Sequence, residues 1–340
     1  MPFTTHPSRR LSAALTIALV TSLVGSGVAL ADGHVGVLVQ FDEAQGQLPE
    51  GIAVNKQGDV FVGLAPLGTI VKVEVGSTDY EPFGQVAGIN PNTDFGVLGL
   101  AVSAGGDVYA GVQSANPSAN GVWVFDGQTG EGSKVDGTEA IAIANDVAFD
   151  KRGNLYITDS ALGAIWRVPK HGALELWLVD AALAGNGVLG AGVPIGANGV
   201  EHHHGVLYVA VTEQFSVVAV PIGPDGAPGE PQIVTTFPPD GFGAPGAPDG
   251  LAIDVHGDVY AALIGQQKIV RVDGAAEVTE IASGDPLDWP SSIAFGTSRG
   301  EQKTLFAVNF SIGEGFGDPV PRMGPSLVAI SVGVPGAPLP

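Results

Sequence analysis

Short runs of β-branched and aromatic residues recur along the chain, each set off by a polar, glycine-bearing turn. GDVFVG (58–63), GDVYAG (106–111), GNLYIT (153–158), GVLYVA (205–210), GDVYAA (257–262) and KTLFAV (303–308) are variants of one strand. The Gly-Asp and Gly-Asn steps supply the positive-φ residues that tight hairpins require. A third strand follows in each case, reading TIVKVEV, GVWVF, AIWRV, SVVAV, KIVRV or SLVAIS. A fourth is expected at positions such as 174–179, 232–236 and 278–282. No helical period or heptad runs through these segments, so the pattern predicts an all-β chain.

Before each of these strands stands a second repeated motif: PEGIAV (49–54), VLGLAV (97–102), ANDVAFD (144–150), ANGVEH (197–202), PDGLAID (248–254) and PSSIAF (290–295). The aligned positions 50, 98, 145, 198, 249 and 291 are 42 to 53 residues apart, the period of a four-stranded propeller blade. The reading is a six-bladed β-propeller with four antiparallel strands per blade. Segment 35–41 has no blade before it, so it is expected to pair with 326–332 and close the ring, removing the open edge. The first motif of each blade then forms the strand nearest the axis, and its aligned position falls at the entrance of that strand. Domain limits follow: 1–31 a signal peptide, 32–333 the propeller, 334–340 a flexible C-terminal tail rich in Pro and Gly.

The signal peptide rests on Arg9 and Arg10, the apolar run 11–30, and the small residues of Ala29-Leu30-Ala31 flanking a cleavage point. The mature protein is expected to be exported, periplasmic or extracellular, and monomeric. With 14 basic against 35 acidic residues the chain carries −21, and −23 once Arg9 and Arg10 are removed. So few cations argue against nucleic acid and against an anionic membrane surface. The absence of cysteine rules out disulfides and thiolate metal ligands.

The aligned position carries Glu50, Leu98, Asn145, Asn198, Asp249 and Ser291. Two carboxylates and two amides facing one another across a channel mouth form an all-oxygen donor set, suited to one hard divalent cation. Calcium fits such donors best; zinc, manganese and magnesium are the other candidates. The bland alternative is that these side chains cap turns by bonding nearby backbone N–H groups.

The order PEG, AND, ANG and PDG in blades one, three, four and five, with PSSIAFG in the last, resembles the regucalcin/gluconolactonase family (senescence-marker-protein/gluconolactonase/LRE-like) of six-bladed propellers. Diisopropyl-fluorophosphatases and paraoxonases are its wider relatives. The resemblance spans the mature chain and implies that Glu50, Asn145, Asn198 and Asp249 bind a catalytic divalent cation. It also implies that Asp249 doubles as the general base toward water in a lactonase or esterase reaction, with a small-molecule lactone or ester as substrate. Where sugar-lactone members carry an Arg two positions before the first Asn, this chain has Ile143, which points to a more apolar substrate. That departure leaves open a non-catalytic propeller that binds a protein, polysaccharide or small ligand around a structural metal.

Other features read more plainly. His202, His203 and His204 are expected in a turn on the outer face, where consecutive side chains diverge. Phe95, Phe215, Trp289, Phe310 and Phe316 are expected mainly between blades, with walls of a substrate mouth as the alternative, and Asp146 and Asp159 mainly in turn hydrogen bonds. No Gly-x-Ser-x-Gly elbow, Walker loop or His-Glu-x-x-His motif is present.

Overall fold

The structure is a computed structural model that describes residues 34–240, 245–313 and 323–339. The segment read as a signal peptide and the side chain of Phe316 lie outside the described residues. Six separate four-stranded antiparallel sheets form the blades. Their inner strands are Pro49–Val54, Gly96–Val102, Ala144–Phe149, Ala197–His203, Pro248–Ile253 and Pro290–Phe295. Each inner strand packs against the next, and the sixth packs against the first, so they form a closed ring about an axis. In the last blade the order is Pro290–Phe295, Thr304–Asn309, Ser326–Ser331 and then Val35–Gln40 from the other end of the chain. Val35 pairs with Ile330 and Gln40 with Ser326, which is the closure the sequence predicts.

Why the strands read as nearly unbroken apolar runs is clear from their packing. Each sheet is covered on both faces by neighbouring blades, so both alternating sets of side chains are buried. In blade one, Val60, Val62 and Leu64 face blade six, while Phe61 and Ile70 face blade two. The core is therefore six layers between blades; Tyr156 and Val209 mark the layer between blades three and four, and Tyr260 and Leu305 that between five and six.

Close approach of the inner strands depends on glycine. A Cβ on Gly51 would overlap the Leu98 carbonyl of blade two, and one on Gly199 would overlap the Asp249 carbonyl. Gly51→Ala is expected to destabilise the fold by about 3 kcal/mol through overpacking against backbone. Gly274→Ala, where the added Cβ meets nothing within 4 Å, should be nearly silent. Thermal melts of the two variants beside the wild type check this, and equal melting temperatures would contradict it.

The C-terminal segment departs from the expected loose tail. Val255 N–H donates to Pro335 O (3.0 Å), Gly336 N–H to Gln302 O (3.1 Å) and Ala337 N–H to Ile253 O (2.8 Å). Residues 335–337 thus lie across the exit ends of blades five and six, and Ala337, Pro338 and Leu339 line the floor of the axial channel. The unpaired backbone groups at these strand ends supply the partners that composition alone does not reveal.

Candidate metal centre

Each inner strand carries a break in its register with the second strand at the repeated position. The shift falls between Pro49 and Ile52, Val97 and Leu100, Ala144 and Val147, Ala197 and Val200, Pro248 and Leu251, and Pro290 and Ser292. Such a bulge turns a side chain out of the strand's regular alternation. Six bulges stand at one level of a closed ring, and those of blades one, three, four and five carry the oxygen donors, which is the local cause of the site.

Four of those side chains are oxygen donors with nearly the same exposure: Glu50, Asn145 and Asp249 at 7% and Asn198 at 6%. Glu50 Oε2 is buried and has no hydrogen-bond partner. Asn145 donates its Nδ2 to Ser160 Oγ (3.0 Å) and Asn198 donates its Nδ2 to Thr212 Oγ1 (2.9 Å). No hydrogen bond to either Asn Oδ1 is found among the described residues. Leu98 occupies the blade-two position. Ser291 turns away from the axis, donating its hydroxyl to the Glu50 carbonyl (2.8 Å) and so tying blade six to blade one.

The charges at the mouth are unbalanced. Burial raises the Glu50 carboxyl well above its usual range, and the neighbouring Asp249 and Asp146 charges add to the rise. Asp249 is pushed up to about 7 by burial and by Asp146, against a lowering hydrogen bond from Asn198. Asp146 also rises to about 7 through burial, opposed by the N–H groups of Val200 and Val147. Convergent carboxylates that drive one another toward the neutral form, an orphaned buried oxygen and two free amide oxygens together fit a hard cation. The set has only two carboxylates, and no group of three or more acidic or histidine side chains that could hold an ion occurs among the described residues.

The structure corrects the reading of Asp146. Instead of capping a turn, it occupies the position that Gly51, Gly99, Gly199 and Gly250 hold in other blades. Its carboxylate reaches across to accept the Val200 N–H of blade four (2.8 Å). Asp159 does behave as a turn acceptor, taking Ala142, Ile143 and Leu162 N–H and Trp166 Nε1–H.

Glu201 is a channel residue that the strand pattern alone does not single out, although the sequence holds its signal. Three residues beyond each aligned position stand Ala53, Ala101, Ala148, Glu201, Ala252 and Ala294, and all six line the channel below the mouth. Burial and the Asp146 charge push Glu201 up to about 8, against a hydrogen bond from the His202 N–H.

His202 and His203 end the inner strand instead of forming the turn, whereas His204 is exposed in the hairpin turn as expected. His202 lines the channel and accepts the Gly205 N–H at Nε2 (3.2 Å), while all three face a hollow with Lys151, Val255 and Pro338 at the end remote from Glu50. The described aromatics are also displaced from expectation, since Phe95, Phe215, Trp289 and Phe310 belong to none of the core layers. They sit where chain enters an inner strand or leaves a second strand, at the same end of the blades as Glu50, and Phe95 is 40% exposed. The described cations at that end, Lys134 and Lys268, are on outer or third strands beside Glu139 and Glu280.

Residues 98–308 match the family model of the SMP-30/gluconolactonase/LRE-like region. No curated protein matches the sequence. Among solved structures, a gluconolactonase from Xanthomonas campestris superposes with a TM-score of 0.63 at 16% identity, over 89% of this chain and 89% of that one. The calcium-binding protein regucalcin from Agrobacterium tumefaciens gives 0.63 at 16%, over 89% and 95%. Virginiamycin B lyase from Staphylococcus aureus gives 0.55 at 13%, over 87% and 98%. Likeness at these identities carries the fold; chemistry has to come from the side chains present.

Proposed function

This chain belongs to the SMP-30/gluconolactonase/LRE-like family, and from that premise we propose that it is a divalent-metal-dependent hydrolase of the lactonase or esterase type. The observation that carries the reading is the placement of Glu50, Asn145, Asn198 and Asp249 at four of the six coincident bulges, with Glu50 Oε2 lacking a hydrogen-bond partner among the described residues. Those four residues would hold the cation, with calcium preferred for an all-oxygen set. When bound, a divalent ion supplies polarisation of the ester carbonyl and acidification of water.

The chain's own residues do the rest. Asp249, a carboxylate at the level of the donors, accepts the proton of the attacking water as its oxygen adds to the acyl carbon. The acyl C–O bond then breaks, and the proton passes to the departing alkoxide, giving a hydroxy acid from a lactone. Leu98 and Ile143 are apolar at the level of the donors, and Phe95, Phe215, Trp289 and Phe310 are on the surrounding loops. With the described cations of that face held at its rim, the site suits an uncharged, apolar lactone or ester better than an anionic or polyhydroxylated one.

A pH-stat screen of neutral lactones beside gluconolactone tests the proposal. Calcium-restored turnover of an alkyl-substituted lactone, lost on chelation and exceeding that of gluconolactone, is the expected result. No hydrolysis of any lactone or ester by calcium-loaded protein would favour the binding propeller instead. We also propose export, on the strength of Arg9-Arg10, the apolar run and Ala29-Leu30-Ala31. N-terminal sequencing of secreted protein should begin at Asp32.

A further inference from the structure

We propose that Ser160 and Thr212 are positioning residues that fix the amide orientation of Asn145 and Asn198, so that each presents its oxygen to the cation; this rests on the metal centre proposed above. Both hydroxyls stand in the same place, one residue past the end of the second strands Leu155–Asp159 and Val206–Val211. Both are buried. Ser160 Oγ donates to the Ala197 carbonyl (2.7 Å) and Thr212 Oγ1 to the Pro248 carbonyl (2.9 Å), each in the next blade.

A hydroxyl has one proton. With that proton committed to a carbonyl, Ser160 and Thr212 can only accept from their Asn neighbour. The side of each amide that meets the hydroxyl must therefore be Nδ2, and Oδ1 is turned elsewhere. The reverse orientation would set an amide oxygen against hydroxyl lone pairs and leave a buried N–H without its acceptor. The network decides the orientation that the shape of an amide cannot.

The same place in the other blades supports a specific purpose. Where the aligned residue is a carboxylate, the position after the second strand is apolar: Ala65 with Glu50 and Ile264 with Asp249. Where it is an amide, the position is a hydroxyl. A carboxylate offers oxygen at both ends and needs no such selection; an amide does. In blade two, where Leu98 is no ligand, the register-equivalent residue is Gln113, whose Oε1 accepts the Phe95 N–H (2.8 Å). The carbonyls that receive the two protons belong to Ala197 and Pro248, immediately before Asn198 and Asp249. One relay therefore links the donors of blades three, four and five.

The test uses the full mature chain, stripped with chelator and titrated calorimetrically with calcium, beside Thr212→Val, Thr212→Ser and Ser160→Ala. Thr212→Val keeps the shape and removes the acceptor. A 10- to 100-fold weaker Kd, of the order seen when groups behind metal ligands are lost, is expected for Thr212→Val and Ser160→Ala. Recovery to within about threefold is expected for Thr212→Ser. A purely structural role would instead lower the melting temperature of the metal-free variants and leave Kd unchanged, which overturns the inference while the metal centre stands. Wild-type protein that binds no calcium would remove the metal centre and the inference together. Ser160→Ala reads the same effect independently if Thr212→Val does not fold.

Discussion

Asp249→Asn should lower the hydrolysis of a neutral lactone by about 10³-fold, within the range typical of losing a general base. The exchange keeps the side chain's size and one oxygen, and the inner strand Pro248–Ile253 with its bulge has no reason to move. What is lost is the carboxylate oxygen that takes the proton of the attacking water, since an amide is not basic at neutral pH. The same substitution removes one member of a repelling set, so the metal-free variant should be at least as stable as wild type at pH 8. Initial rates and urea unfolding on the same samples separate the two effects. Full activity in a folded Asp249→Asn protein would eliminate Asp249 as the base.

The metal-free protein should lose stability as pH rises from about 5 to 8, and Glu201→Gln should flatten that loss by on the order of 3 kcal/mol. The sign follows from proton uptake. Glu201 has an ordinary value of 4.5 that burial and Asp146 raise to about 8 in the fold. The folded state therefore binds more protons than the unfolded chain across this window. Stability is fully present below the unfolded value and declines as pH climbs through the folded one. The figure is kept below the full linkage value because Glu201 is only partly buried and solvent screens its charge. Glu50, Asp146 and Asp249 are shifted in the same direction, so the variant retains part of the slope. Urea denaturation in chelator at pH 5 and pH 8 reads the difference, and identical slopes in wild type and variant would contradict the placement of Glu201.

The fold was legible in the chain because a propeller repeats its own constraints. Sheets covered on both faces need apolar residues at most positions of their inner strands, and a 42- to 53-residue period repeats them six times. Strand 35–40 joining the last blade followed from its having no blade of its own. The four donors were legible as a departure from that repetition. What could not be read was which neighbours the bulges bring to the axis. Asp146 follows Asn145 and looked like a turn residue, yet the missing glycine in blade three puts its carboxylate across the gap to Val200. Glu201 stands among five alanines, a contrast visible only once the +3 position is known to face the channel. Aromatic residues between blades belong more often to the core, but Phe95, Phe215, Trp289 and Phe310 stand at strand ends, on the loops, which fits the alternative of a substrate mouth. The polar hairpin points His202–His204 outward, but the inner strand Ala197–His203 runs long enough to carry His202 and His203 to the channel's far end and leaves only His204 exposed in the turn.

The most direct test of the central claim is a calorimetric titration of the chelator-treated mature protein with calcium, run beside Glu50→Ala and Asp249→Ala. One ion bound per chain by the wild type, and none by either variant, is the result this account requires. No bound ion, with a melting temperature indifferent to calcium, would mean that the four side chains at the axial mouth are not a metal centre.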